Sequence, residues 1–252
     1  MRNAIYGLLL ACQFLTRLPV PVACPWTPTT RRWALRSYPL VGLVLGALLA
    51  GAAALLAGAL PVPLLALALL SLWVALSGGL HLDGVMDVAD ALGSNATLEK
   101  RWAIMKDPQV GSFGILALVF LLAWKGMLLW ALLVADVPLA VLVAVPALSR
   151  FGALALLRLA PCARREGLAW TWQQDLERRD LLLALLPLGL LFVSLPGWPL
   201  LLGALLAFLL VYGGRMIRGF TGINGDIVGA AIEGGELWLL LIAWSWWSFV
   251  TA

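Results

Sequence analysis

Apolar stretches long enough to cross a lipid bilayer recur along this chain, and nearly all of its formal charge lies between them. A spanning helix needs about 20 largely apolar residues. Seven stretches meet or approach that length, at 37–60, 62–80, 113–134, 137–158, 181–196, 198–214 and 229–251. The fifth and sixth are separated by Pro196-Gly197-Trp198-Pro199, which reads as a tight turn between antiparallel spans. The last ends in Trp244, Trp246 and Trp247, side chains suited to a membrane interface. Of 252 residues, 63% are hydrophobic and 12% charged, against roughly a quarter charged in a soluble domain. Polar groups are too few to cover such a surface, so lipid must cover the rest. The same excess of apolar residues excludes disorder, and its recurrence down the chain excludes a single signal peptide as its source.

The charges orient these spans. Threading them in order brings Arg2, Arg17, Arg31, Arg32, Arg36, Lys100, Arg101, Lys106, Arg158, Arg164, Arg165, Arg178, Arg179, Arg215 and Arg218 to one side. The opposite turns, near 61, 136 and 197, hold no Lys or Arg. The positive-inside rule then predicts an internal N-terminus and an external C-terminus for a multi-pass membrane protein. It also accounts for the net charge of +4 without a nucleic-acid partner. Lys125 and Arg150 fall inside spans. Lys125 is expected to snorkel to the interface, whereas Arg150, deeper, calls for an anionic partner. Residues 1–17 read as a short interfacial or re-entrant helix. Cys12, Cys24 and Cys162 form no CxxC pair, and His81 is the lone histidine, which argues against zinc and disulfide chemistry. The fold class expected is all-α: a polytopic membrane helical bundle of about seven transmembrane helices plus the N-terminal helix, with 1–252 forming one domain.

The most informative segment runs from Ser77 to Ser94. If residues 82–92 are helical, Asp83, Asp87 and Asp90 stand at i, i+4 and i+7 and project within an arc of about 60°. Like charges at that spacing repel, and no Lys or Arg lies within a turn on that face. A solvated acidic face is the bland alternative, but Leu82, Val85, Val88 and Leu92 make the other side apolar and the segment adjoins a span. A bound divalent cation satisfies the pattern. Oxygen ligands without thiols or imidazole pairs select Mg²⁺, Mn²⁺ or Ca²⁺, and Mg²⁺ is usual where a diphosphate supplies further oxygens.

A second polar cluster spans Gly219 to Glu233, with Asp226 and Glu233 at i and i+7 near a helix start. Asp226 can cap that helix, and the glycines before it can cradle phosphate oxygens through backbone N–H groups. Between the clusters, Lys106 is placed to meet an anionic substrate or anionic lipid. Acidic, basic and glycine-rich elements thus gather on one side, as phosphoryl chemistry on a nucleotide-activated substrate requires.

These residues, taken in order, resemble the cobalamin synthase (adenosylcobinamide-GDP ribazoletransferase) family. The resemblance covers nearly the whole chain. It is carried by Phe14-Leu15-Thr16-Arg17-Leu18-Pro19-Val20-Pro21, Tyr38-Pro39-Leu40-Val41-Gly42, Gly79-Leu80-His81-Leu82-Asp83-Gly84 with Asp87 and Asp90, Met105-Lys106-Asp107 with Gly111, Ser149-Arg150, and Gly225-Asp226 with Gly229-Ala230. Asn224 stands where the family more often has Thr. The resemblance implies that adenosylcobinamide-GDP and α-ribazole, or its 5′-phosphate, are joined to adenosylcobalamin, or its 5′-phosphate, with release of GMP. It implies Mg²⁺ on Asp83, Asp87, Asp90 and Asp226, catalytic roles for Asp90 as base and for Lys106 and Arg150 on phosphate charge, and substrate contacts from Arg17, His81, Asp107, Asn224 and Glu233. The assembly state is left open, a homo-oligomer included.

Other membrane transferases of metal-bound diphosphates fit less well. A CDP-alcohol phosphotransferase expects an Ala-Arg pair and a further Asp, yet Val85-Met86 follows Gly84 and no Asp lies between Asp90 and Asp107. A prenyltransferase expects adjacent aspartates, and this sequence has none. A transporter would place its charges near the bilayer midplane, whereas the acidic clusters fall mainly at span ends.

Overall fold

The computed structural model describes residues 2–189, 191 and 195–250. Among these are twelve α-helices and no β-strand. They are α1 (Arg2–Leu15), α2 (Pro28–Arg36), α3 (Tyr38–Leu56), α4 (Val62–Ser77), α5 (Leu80–Gly93), α6 (Leu98–Ile104), α7 (Ser112–Val134), α8 (Ala140–Leu159), α9 (Gly167–Asp175), α10 (Arg178–Leu185), α11 (Trp198–Phe220) and α12 (Gly225–Phe249).

Five of these, α3, α7, α8, α11 and α12, are long and apolar enough to cross a membrane. With the bent pair of α4 and α5 the described residues give up to six of the about seven expected, and two of the expected stretches differ in detail. The stretch at 62–80 forms the 16-residue α4, which is long enough to cross a membrane only together with α5, and the two are bent by 91°. Gly78 and Gly79, at φ of 69° and 67°, supply two successive left-handed residues at that bend, a conformation open to glycine at little cost. In the expected span at 181–196, α10 and a 3₁₀ turn at Leu186–Leu188 occupy the first part, and residues 190 and 192–194 lie outside the described residues. The N-terminal helix α1 has 14 residues, too short to span.

Helix α8 is the axis of the bundle. Its residues from Ala144 to Leu157 are buried without a break. Gly42 and Gly46, one turn apart on α3, meet the α8 backbone at Pro146–Ala147 and Leu142–Val143, so these helices approach as closely as small interface residues allow. The outer faces of α7 and α11 stay apolar and exposed, through Leu116, Phe120 and Trp124 on one and Leu206, Leu210 and Val211 on the other. Such faces suit lipid contact.

Ion pairs tie the connections at the basic end together. Arg31 bonds Asp175 at 2.6 Å, and Arg32 and Arg36 converge on Asp180, which is buried in full. Glu177 and Asp180 close a reciprocal capping box on α10. At the other end Gly197 abuts the Trp247 ring.

Candidate functional site: a carboxylate cluster between two cavities

Helix α5 turns away from α4 by 91°. Along it the three aspartates differ in exposure: Asp83 is exposed, Asp87 half-buried and Asp90 buried. The expected shared helix is present, and Gly84 explains why it meets the second cluster. A side chain at Gly84 would run into the backbone carbonyl of Asp226, so the absent Cβ lets the start of α12 pack directly on α5. Asp83, Asp87 and Asp226 become electrostatic neighbours. Burial first, then the charges of Asp83, Asp226 and Asp90, push the Asp87 carboxyl up to about 6. None of the ion pairs among the described residues engages Asp83, Asp87, Asp90 or Asp226.

Asp226 is held from below by its own loop. Asn224 is the N-cap of α12: its Oδ1 accepts the Ile227 amide at 3.0 Å, while its Nδ2 donates to Asp226 Oδ2 at 2.8 Å. The loop is pinned to the segment after α8, where Ala163 N donates to Ile223 O at 3.0 Å and Ile223 N to Pro161 O at 2.9 Å. Asn224 therefore positions the carboxylate. An amide can cap the helix and donate to a carboxylate at once.

Asp90 has a different environment. Its Oδ2 accepts the Gly111 amide at 2.7 Å and its Oδ1 the Gly114 amide at 2.9 Å. It caps the N-terminus of α7 from another helix, where amides are otherwise orphaned and the helix dipole favours negative charge.

Among the described residues no three His, Cys, Asp or Glu side chains form a ready-made metal cage. The donor set nonetheless suits a hard cation held in part by substrate. Asp83, Asp87 and Asp226 offer only oxygens, repel one another, and have no cationic partner among the described residues. Mg²⁺ commonly takes one or two carboxylates and completes its shell with water and phosphate oxygens.

Two cavities meet at Asp226. One, of about 430 Å³, includes Phe14, Tyr38, His81, Trp172 and Ile232 in its lining. The other, of about 530 Å³, includes Trp102, Lys106, Arg164, Trp170 and Asn224. Leu168, Ala169, Gly225 and Asp226 line both. Lys106 and Arg164 are exposed at the second, and the Arg164 guanidinium lies 5.4 Å from the centre of the Trp102 ring.

The remaining expected residues are dispersed. Arg17 is exposed, packed on Gly78. Asp107 is exposed and accepts the Gln109 amide at 3.0 Å. His81 is 5% exposed and faces the first cavity, its Nδ1 without a hydrogen-bond partner among the described residues. Glu233 and Arg150 belong to a buried ionic cluster. Lys125 Nζ donates to Glu233 at 2.9 Å and to Glu236 at 2.6 Å, and Arg150 pairs with the other oxygen of Glu236. Arg150 has no exposed surface. The expectation that Lys125 snorkels is corrected, because it is 2% exposed and sits 4.5 Å from the Trp73 ring centre. Two glutamates one turn apart on α12 neutralise it, so a journey to the interface would abandon both. Sequence reasoning passed over Glu236, although a carboxylate three residues after Glu233 within an apolar span was the signal. It also passed over Arg164, Tyr38 and Trp172 as site residues, since only folding brings their segments to Asp226.

The family model described as cobalamin-5-phosphate synthase matches residues 7–244. The chain belongs to that family. Relatives match it across nearly the whole length of both chains. The chain is 40% identical to a protein of Geobacillus thermodenitrificans (strain NG80-2), covering 97% of each. It is 43% identical to one of Pseudomonas paraeruginosa (strain DSM 24068 / PA7), covering 92% of this chain and 95% of that one, and 37% identical to one of Halalkalibacterium halodurans over all of both. Each of these relatives is named adenosylcobinamide-GDP ribazoletransferase. No solved structure matches the chain. For this member of the cobalamin-5-phosphate synthase family, the membrane bundle is the scaffold, and the carboxylates stand at its basic end.

Proposed function

We propose that this protein joins adenosylcobinamide-GDP to α-ribazole, or to its 5′-phosphate, with release of GMP. The observation that carries the reading is the packing of Gly84, between Asp83 and Asp87 on α5, directly on the Asp226 backbone, beside a cavity holding Lys106 and Arg164, in a chain whose full-length relatives bear that name.

In this reading a ribose hydroxyl of the acceptor attacks the phosphorus nearest the corrinoid. A new P–O bond forms, the bridging P–O bond breaks, and GMP leaves with the electron pair. Lys106 and Arg164 hold the phosphate charge at the open cavity. The hydroxyl proton passes to a carboxylate of this cluster. Asp90 acts by fixing α7 against α5, since both its oxygens are taken by amides. Asp83, Asp87 and Asp226 would hold Mg²⁺, which when bound neutralises the diphosphate and the departing nucleotide. Arg150 acts at a distance, as the partner of the second Glu236 oxygen, the first being held by Lys125. The basic end faces the cytoplasm of a bacterium, where a nucleotide-activated donor is available.

The test is direct. Purified protein in nanodiscs, given adenosylcobinamide-GDP, α-ribazole and Mg²⁺, is expected to release GMP in step with a new corrinoid product, and EDTA is expected to stop both. Product formation at full rate in EDTA would remove the metal from the mechanism, and absence of GMP would remove the reaction.

A further inference from the structure

We propose that the smaller cavity, between α1, α9 and the start of α12, seats the base and ribose of the acceptor nucleoside, with His81 as its polar handle. This inference rests on the transferase reading above and assigns one of its two substrates to a place.

Size is the first argument. A cavity of about 430 Å³ lies within the range that encloses a small ligand. A corrin ring with its amide arms is too large to enter it. The lining is the second. Trp172 meets Phe14 edge-on at 4.9 Å and Tyr38 at 5.8 Å, and none of the lining residues is Lys or Arg. Such walls favour a flat, uncharged aromatic base. The third is the imidazole of His81. It is almost wholly buried, lines the cavity, and has an Nδ1 with no hydrogen-bond partner among the described residues. A buried polar atom left unpaired costs stability, and a ligand hydroxyl satisfies it once the ring turns its sealed Nδ1 toward the cavity.

Position completes the case. Asp226 lies on the wall shared with the larger cavity, where Lys106 and Arg164 stand. The acceptor held on the apolar side and the donor diphosphate on the basic side meet at that carboxylate. Each cavity thus matches the chemistry of one substrate.

Calorimetric titration of the full chain in nanodiscs with α-ribazole alone, followed by steady-state kinetics on both substrates, tests the assignment. Wild type is expected to bind α-ribazole without the donor. His81→Phe, which keeps the ring and removes Nδ1, is expected to raise the KM for α-ribazole by about tenfold and leave the donor KM unchanged. His81→Asn is expected to recover part of the loss. Lys106→Ala is expected to do the reverse, raising only the donor KM. If the His81 variants fail to fold, Leu80→Trp narrows the same cavity from an exposed position and is expected to raise the α-ribazole KM. A rise in donor KM alone on changing His81 or Leu80, or turnover by a wild type to which α-ribazole does not bind without donor, overturns the assignment. A wild type that binds α-ribazole in this way yet releases no GMP supports the cavity's occupant and refutes the transferase reading instead.

Discussion

The carboxylate of Asp90 on α5 accepts the amide of Gly111, at the N-cap of α7, at 2.7 Å. With the Gly114 amide on its other oxygen, this one side chain satisfies two donors that α7 itself cannot. Asp90→Ala is expected to lower stability by about 3 kcal/mol, because it orphans both amides and deletes a charge the helix dipole favours. Asp90→Asn, which keeps one acceptor oxygen, is expected to lose about half as much. Unfolding scans in detergent check both, and an unchanged midpoint for Asp90→Ala would show that the cap is absent.

Asp83 and Asp87 are expected to behave in the opposite way. Neither makes an ion pair among the described residues, so replacing either with Ala removes mutual repulsion and leaves the unfolding midpoint near wild type or above it. Turnover is expected to vanish. A further sign separates these residues from structural ones: Mg²⁺ is expected to raise the wild-type midpoint by mass action and to leave the variants unmoved. Equal Mg²⁺ stabilisation of all three proteins would deny these carboxylates the metal.

Lys125 lies between Glu233 and Glu236 with almost no access to solvent. Lys125→Met is expected to cost about 3–5 kcal/mol, the penalty for stranding buried charge without its partner. Lys125→Met combined with Glu233→Gln is expected to be less damaging than the single change, since the double variant leaves Arg150 and Glu236 matched. A double-mutant cycle on unfolding free energies measures the coupling; strict additivity would argue that the pairs are not formed.

Gly84→Ala probes the contact that joins the two acidic clusters. The added methyl meets the Asp226 carbonyl, which belongs to backbone and cannot rotate away. The change is expected to cost about 1–3 kcal/mol as overpacking and to reduce turnover further than stability, by parting Asp226 from Asp83 and Asp87. Activity measured well below the unfolding midpoint separates the two effects; wild-type kcat would show that the approach of α12 to α5 is dispensable.

Asp180 predicts a pH dependence. Burial pushes its carboxyl up, but the Glu177 amide and the guanidiniums of Arg36 and Arg32 outweigh it and hold the pKa below its ordinary value of 3.8. A depressed acid contributes stability that is complete above that ordinary value and fades as pH falls through the folded one. Asp180→Asn is therefore expected to be less stable than wild type near neutral pH, with the difference closing in acid. Midpoints recorded from about pH 6 down to about pH 3 read it; a difference that widens in acid would have the wrong sign.

Much of this protein is legible along the chain because its signals are local. An apolar run of bilayer length specifies a helix wherever it lies, since lipid leaves no other way to satisfy the backbone. Spacing of 3.6 residues per turn places Asp83, Asp87 and Asp90 on one helix. What the sequence alone determined is therefore the membrane bundle, the acidic helix and the family. The tertiary structure decided the rest: that Asp90 caps α7, that Glu236 rather than the interface receives Lys125, and that Asp226 joins Asp83 and Asp87 through the missing side chain of Gly84. It also brought Phe14, Tyr38 and Trp172 around one cavity and Lys106 and Arg164 around another. These are relations between residues tens to hundreds of positions apart. Helical periodicity carries no information at that range, because a carboxylate or an amide acquires its partner only when packing brings two helices together.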